Sequence, residues 1–362
     1  MNYEPRPIAT RDVPDSIRSA LRDFYSALPR GPRAPDFSVA RALREMSSPT
    51  GLRDGYEREL LGSFAIALGR HYDPHRVCIP YSMLATERDM TAASGPGGGH
   101  LVGEEQGRVV DLLRGWSIAI DGGAQVLPLE RGNLAVPRDN GGVTTAWLSG
   151  ENVSAPEVGP ILGEVQLTPK TVATYVEVSH LLNRMAPQLE LFLRQSLVGA
   201  VGQAIDIAAF GGTGIGGQPL GIMNTAGVGI VAGASLGWAG VRTIRKSAVA
   251  AGARESHLMF VGGSTTQDVL AGRERLAGSG KAIWDDSGNV AGLRAVATNR
   301  IPLDALVCGD FSKLAIAIWG GLEVEVNPFA NFQAGIQGAR VMASLDIGVL
   351  QPGAFSVASG VN

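Results

Sequence analysis

"GEVQLTPKTVATYVEVSHLLNRMAPQLELFLRQSLVGAVGQAIDIAAFGGTGIGGQPLGI", residues 163–222, changes its period part-way along. Up to Ser179 it reads as two strands meeting around Pro169. From Ala186 to Phe210 the apolar residues fall at helical spacing, with Phe192 and Leu197 on the stripe. Pro187 suits a first helical turn, where its missing N–H costs nothing. At ~1.5 Å per residue this helix spans roughly 35 Å, and it reads as a structural spine. Gly212, Gly214 and Gly217 then stand in the spacing G-x-G-x-x-G. A dinucleotide loop of that form needs a strand before it and a helix after it. Here a helix precedes, and Pro219 and Gly221 resist a helix beyond. No Asp or Glu lies between Asp206 and Glu255, so the acidic ribose ligand is missing as well. The glycines read as a helix stop, with Gly211 and Gly212 near the C-cap, followed by a tight turn.

Toward the N-terminus, residues 118–178 hold strand-like runs: "AQVLPL", "GNLAVPR" and "VTTAWLSG". Asn140-Gly141 between the last two predicts a hairpin turn, because both turn positions tolerate positive φ. Pro137 cannot donate to a ladder, so its strand is an edge or a protruding arm. With so little apolar content, such an arm should pack on something else, such as another subunit. "TAASGPGGGH", residues 91–100, reads as a joint. Residues 1–90 read as short amphipathic helices, in "DFSVARALREM", capped at Asp36, and in "GYERELLGSFAIALG"; the segment is a small helical module, a partner-binding arm or a loosely packed extension. Toward the C-terminus the pattern predicts helices near 238–251, 265–277 and 310–318. Strands are predicted near 257–263, 291–297 and 305–308, and further strands to the end. The class is α+β with strands paired non-sequentially.

The formal net charge is −3, from 31 Lys and Arg against 34 Asp and Glu. No basic stripe marks a general nucleic-acid binder. Cys78 and Cys308 are too few for a disulfide framework. The N-terminus has no apolar signal region, and no apolar run approaches the ~20 residues of a membrane span. Chemistry-bearing patterns are sparse. "GASLG", residues 233–237, matches a nucleophile elbow around Ser235, with Glu255 and His257 as the downstream acid and base. His71, His75 and Cys78 have zinc-like spacing, but Pro74 interrupts them and no fourth ligand follows. No catalytic, cofactor-binding or metal-binding set emerges.

The stretch 163–222 closely resembles the signature region of tailed-phage major capsid proteins. In that family a strand pair ending in L-T-P-K leads to a serine-started helical turn, a long helix and an "nGtG…qPtGi" loop. Here these are Leu167-Thr168-Pro169-Lys170, Ser179, the helix at 186–210, and Gly212 to Ile222. "GNLAVPRDNGGVTTAWLSGEN" resembles the family's "nvaiPr…ggatayWvgEg" hairpin through Pro137, Arg138, Trp147, Gly150 and Glu151. The resemblance implies the Hong Kong ninety-seven capsid fold, with residues 91–123 as N-arm and 124–165 as E-loop. Residues 166–222 and 321–362 would form the P-domain, and 223–320 the A-domain. Residues 1–90 would be a scaffolding, delta-like segment, commonly removed by a maturation protease. Arg88, Asp89, Met90 and Thr91 are the candidate cleavage region, and a chain beginning at Met1 would be unprocessed or never cleaved.

The implied function is self-assembly, as pentamers and hexamers, into an icosahedral phage head around double-stranded DNA. Portal and maturation protease, with or without a cement protein, are the implied partners. No membrane is implied; the implied place is the virion, assembled in the host cytoplasm. Assembly residues would be Pro137, Arg138, Asn140, Gly141, Trp147 and Glu151 in the arm and its base; Phe192, Leu197, Gly212, Gly214, Pro219 and Gly221 would belong to the spine helix and the turn after it. Some family members join an E-loop lysine to a neighbour's asparagine. Asn331 could supply the asparagine, but residues 101–169 contain no lysine. An encapsulin-like compartment shell is the alternative, and an esterase using Ser235 a more distant one.

Overall fold

The computed structural model describes residues 37–46, 48, 50–80, 113–129, 132–141, 161–179, 189–331 and 336–362. Among these, α1 (Val39–Met46) comes first, its start fixed by Ser38, whose Oγ accepts the Arg41 N–H at 3.1 Å. Then come α2 (Tyr56–Ala67), β1 (Arg76–Ile79), the short α3 (Ile118–Asp121) and β2 (Gln125–Leu129). β3 (Leu134–Gly141) and β4 (Ile161–Leu167) pair only with each other, and β5 (Lys170–Ser179) leads on to the spine helix α4 (Leu189–Gly211). The next segment alternates: β6 (Gly229–Ala232), α5 (Trp238–Ala250), β7 (Leu258–Gly262), α6 (Ser264–Ala271), β8 (Asn289–Val290) and β9 (Leu293–Ala297). The chain closes with β10 (Leu306–Asp310), β11 (Leu314–Asn331), β12 (Ile336–Val349) and β13 (Phe355–Ser359).

Two sheets carry the body. In the five-stranded one, β11 and β12 run antiparallel and β5 lies outside β12. The other flank of β11 is shared. β2 runs parallel to Ala315–Trp319, and β1 runs antiparallel to Leu322–Glu325. The changeover falls at Gly320, with φ at 64°, and Gly321, where the β11–β12 register shifts. A side chain on Gly321 would collide with the Ile79 carbonyl, so glycine here lets β1 close in. The six-stranded sheet has the order β6-β13-β10-β7-β9-β8, with α5 packed across β6, β13 and β10. Phe311 joins the two bodies. Its ring meets Phe210 of α4 at 6.0 Å and Phe355 of β13 at 5.7 Å, both edge-to-face.

Several expectations are corrected. The helix expected over 310–318 is a strand, and only Phe311–Lys313 make a 3₁₀ turn. "LAIAIW" is apolar at every position because both faces of β11 are buried here. Leu314, Ile316 and Ile318 enter the main core, while Ala315, Ala317 and Trp319 enter a second cluster. A strand buried on both sides loses its period of two, and sequence periodicity then cannot separate it from a helix. The helix expected over 265–277 stops at Ala271.

The segment boundaries shift too. Gln125–Leu129, placed in the E-loop, belongs to the five-stranded sheet. Residues 321–362 do not stay in one body, because β13 lies between β6 and β10 of the other sheet. Nor is the described part of residues 1–90 a separate module. Val39, Met46, Leu52, Leu61 and Ile79 are buried in the same core cluster as Val198, Ile205, Leu322 and Val324. An amphipathic pattern shows that a helix has an apolar face; it does not show what that face meets. The candidate cleavage residues Arg88, Asp89, Met90 and Thr91 lie outside the described residues.

Candidate assembly site: the hairpin arm and the corner that holds it

The β3–β4 register runs from Leu134 opposite Leu167 to Gly141 opposite Ile161. Asn140-Gly141 is therefore not the turn expected of it. It lies within β3, at an irregularity between Asp139 and Gly141. An Asn-Gly pair makes a two-residue hairpin turn only when the runs on either side pair with each other. Here "LAVPR" pairs instead with "ILGEVQL", which leaves Asn140 as the extra residue of a bulge. Pro137 is exposed opposite Glu164, where the absence of a donor breaks no further ladder among the described residues. Arg138 is half-buried, and its Nε has no hydrogen-bond partner among the described residues. Trp147 and Glu151 lie outside the described residues.

The root of the arm is fixed twice. Val136 and Leu167 pack against Ala315, Ala317 and Trp319 of β11, and Trp319 Nε1 donates to the Gly132 carbonyl at 2.8 Å. At the corner between β4 and β5, Asp346 of β12 is buried. Its Oδ2 accepts the Thr168 N–H at 2.9 Å, and its Oδ1 accepts from Lys170 Nζ and from the Ile347 N–H, both at 2.8 Å. The buried carboxylate is thus compensated by a cation and two backbone donors, as a buried charge must be. The L-T-P-K corner of the sequence works because of Asp346. A lone acid inside the otherwise apolar run "SLDIGV" was the signal for it.

A second buried acid organises the spine. Asp206 on α4 accepts Ser117 Oγ at 2.7 Å, the Ile118 and Ala119 N–H groups at 2.9 and 3.1 Å, and Arg300 Nη1 at 2.7 Å. The Arg300 guanidinium also donates to the Trp116 carbonyl. Trp116 itself lies against Gly199 and Gly202 of α4, two glycines inside a helix whose bare backbone makes room for it. Leu197 packs at the margin of the core; Phe192 lies in α4, in the part whose side chains are not described. The turn after α4 closes as its glycines predict. The Gly214 N–H donates to Pro219 O at 3.1 Å, and the Gly221 N–H to Gly212 O at 2.9 Å. Gly214 has φ at 71°, and a Cβ on Gly212 or Gly221 would stand 2.6 Å from the Ala208 carbonyl oxygen. The turn is a backbone lock with Ile215 exposed at its tip.

The other candidates are not assembled. Ser235, with φ at 55°, lies before the N-terminus of α5, and its N–H donates to Asn362 Oδ1 at 3.1 Å. Glu255 and His257 lie beyond the C-terminus of that helix and have other partners: Glu255 pairs with Arg245, and His257 Nδ1 lies 4.0 Å from Asp310 Oδ1. His75 Nδ1 is at hydrogen-bond distance, 2.9 Å, from the Met46 carbonyl. No group of three metal-ligating side chains occurs among the described residues. Burial pushes the Cys78 and Cys308 thiols up, to about 11 and about 12.

The model of the phage capsid family matches residues 100–360. This chain belongs to that family. Among curated capsid-family proteins, it is 27% identical over 332 residues to the major capsid protein of Halomonas phage phiHAP-1, covering 89% of this chain and 54% of that one. It is 31% identical over 134 residues to the major capsid protein of Klebsiella oxytoca phage phiKO2, covering 37% of this chain and 31% of that one. The chain thus spans about half the length of the first relative and less of the second. Among solved structures, the capsid of a native GTA particle aligns with a TM-score of 0.54 at 17% identity, over 75% of this chain and 94% of that one. The Gordonia phage Cozz structure aligns with a TM-score of 0.51 at 18% identity, over 67% and 86%. The expected class, an α+β phage capsid fold, is the observed one.

Proposed function

We propose that this chain is a phage major capsid protein that assembles, as rings of itself, into the icosahedral shell of a virion head enclosing double-stranded DNA. The observation that carries this reading is the β3–β4 arm. It pairs with nothing else among the described residues, yet its root is pinned by a buried apolar cluster around Trp319 and by Asp346. A rigidly rooted arm with open strand edges is suited to lie on a neighbouring copy, and repeated contacts of that heterologous kind close into rings and then shells. Membership of the phage capsid family supports the same reading. Within it, the hairpin serves as the E-loop, the five-stranded sheet with α4 as the P-domain, and the six-stranded sheet with α5 as the A-domain. Portal, maturation protease and a cement protein are partners of this reading, and assembly takes place in the host cytoplasm. The net charge of −3 gives DNA little to bind, so filling would depend on a motor. An encapsulin-like compartment is the second reading, favoured by the shared fold alone. Negative-stain microscopy of the purified protein is the test. Closed shells or capsomer rings are expected, a uniform population of monomers overturns assembly, and shells filled with a cargo enzyme favour the compartment.

A further inference from the structure

We infer that residues 37–80 are a permanent strand-and-helix partner of the body, one that stays bound when the chain is cut between residues 81 and 112. β2 covers β11 only along Ala315–Trp319, which leaves Leu322–Glu325 as an open edge. β1 fills that edge, with Arg76 opposite Glu325 and Ile79 opposite Leu322, and the Val326 N–H extends the pairing to the His75 carbonyl at 3.0 Å. An open edge of this kind is a liability that folded chains cover. Charge fixes the register. Glu323 of β11 is paired by Arg70, and by Arg76 at 2.9 Å. Behind the strand, Val39, Met46, Leu52, Leu61, Phe64 and Ile79 are buried in the core shared with α4 and β11, and α1 packs directly on both. Leu52 is held in turn through its N–H to the Pro74 carbonyl at 2.9 Å, so α1, α2 and β1 fold as one piece.

Cutting the tether only replaces an effective concentration on the order of millimolar by the real one. The ladder, the ion pairs and the apolar burial all remain. A segment of this kind guards a strand edge; it is not a scaffold that departs. The inference rests on packing within one chain and holds whether or not the chain builds a shell.

The test uses the full chain with Gly95–Gly99 replaced by the recognition site of a sequence-specific protease. After cleavage at low micromolar concentration, both fragments should co-elute on size exclusion with the elution volume and near-ultraviolet circular dichroism of the uncut protein. In urea the N-terminal fragment should leave only as the body's own dichroism collapses. Elution of that fragment apart from a still-folded body overturns the inference, and so does aggregation of the body on cutting. The Arg70→Ala, Arg76→Ala double variant of the cut protein should release the fragment at a lower urea concentration. An unchanged release midpoint would remove the role given to the Glu323 clamp.

Discussion

Asp346 and Glu323 sit on adjacent long strands and do opposite jobs with the same chemistry. Asp346 is buried and holds the arm's corner; Glu323 is partly exposed and holds the N-terminal segment. Removing Asp346 leaves the Thr168 N–H and the Lys170 ammonium without their acceptor. Breaking a buried pair in this way costs about 3–5 kcal/mol. Asp346→Ala should therefore lose several kcal/mol in urea unfolding, and Asp346→Asn, which keeps an acceptor, should lose less. Equal losses would mean that the charge contributes nothing. For Glu323, burial alone would raise the carboxyl. The hydrogen bonds and charges of Arg70 and Arg76 outweigh it and hold the group below its ordinary value of 4.5. A depressed carboxylate adds stability that is full above the unfolded value and is lost as pH falls through the folded one. Glu323→Gln should thus be less stable than the parent at pH 7, with the gap closing as pH falls below ~4. A gap that stays constant across acid urea titrations would contradict the clamp.

At the scale of elements, α4 and its turn were the most legible parts of the sequence. A long apolar stripe ended by paired glycines has one physical reading, and the described helix, Leu189–Gly211, runs one residue past the expected end. The strand at 314–319 was not legible, because burial on both faces erases alternation. Nor were the partners of the two buried acids. Asp206 meets Ser117 and Asp346 meets Thr168 across separations of 89 and 178 residues, which no local pattern reports. The turn role of Asn140-Gly141 failed for the same reason, since the choice of partner strand is a long-range fact. The glycines inside α4 give an element-scale test. Alanine in a helix interior is favoured over glycine by ~1 kcal/mol. At Gly202, however, a Cβ would stand 2.7–2.9 Å from the Trp116 Cβ and backbone, atoms that no rotamer change can remove. Overpacking of that kind costs typically 1–3 kcal/mol, so Gly202→Ala should be destabilised on balance. At Gly199 the contacts are 3.0 and 3.1 Å, to the Trp116 ring, which can tilt. Gly199→Ala should be near neutral or stabilising. Thermal unfolding of both variants decides it, and the reverse order would show that Trp116 is not wedged against the helix as described.

For the whole molecule, the question is what holds one copy to the next once a shell exists. In the proposed reading, a lysine-to-asparagine isopeptide between copies is the covalent option, and it needs a lysine on the arm. Residues 101–169 have none; the chain's lysines are Lys170, Lys246, Lys281 and Lys313. Arginine cannot stand in, because guanidinium does not deprotonate in proteins and the attacking amine must be neutral. Lys170 is the nearest in sequence, but it sits at the arm's root with Nζ 2.8 Å from the buried Asp346 carboxylate. That pairing holds the side chain at the corner, against the Asp346 carboxylate and away from the length of the arm. Lys246 and Lys281 belong to the segment around the six-stranded sheet, and Lys313 to the turn that opens β11. Assembled particles should therefore be joined by non-covalent contacts, with or without a second protein as cement. Boiled in detergent and run on a denaturing gel, they should give no band above the monomer. A ladder of multimers would mean that one of these four lysines reaches a neighbour. Mass spectrometry of the cross-linked peptide would then name it, and Lys170 would be the most damaging answer, since it would require the Asp346 corner to open in the shell.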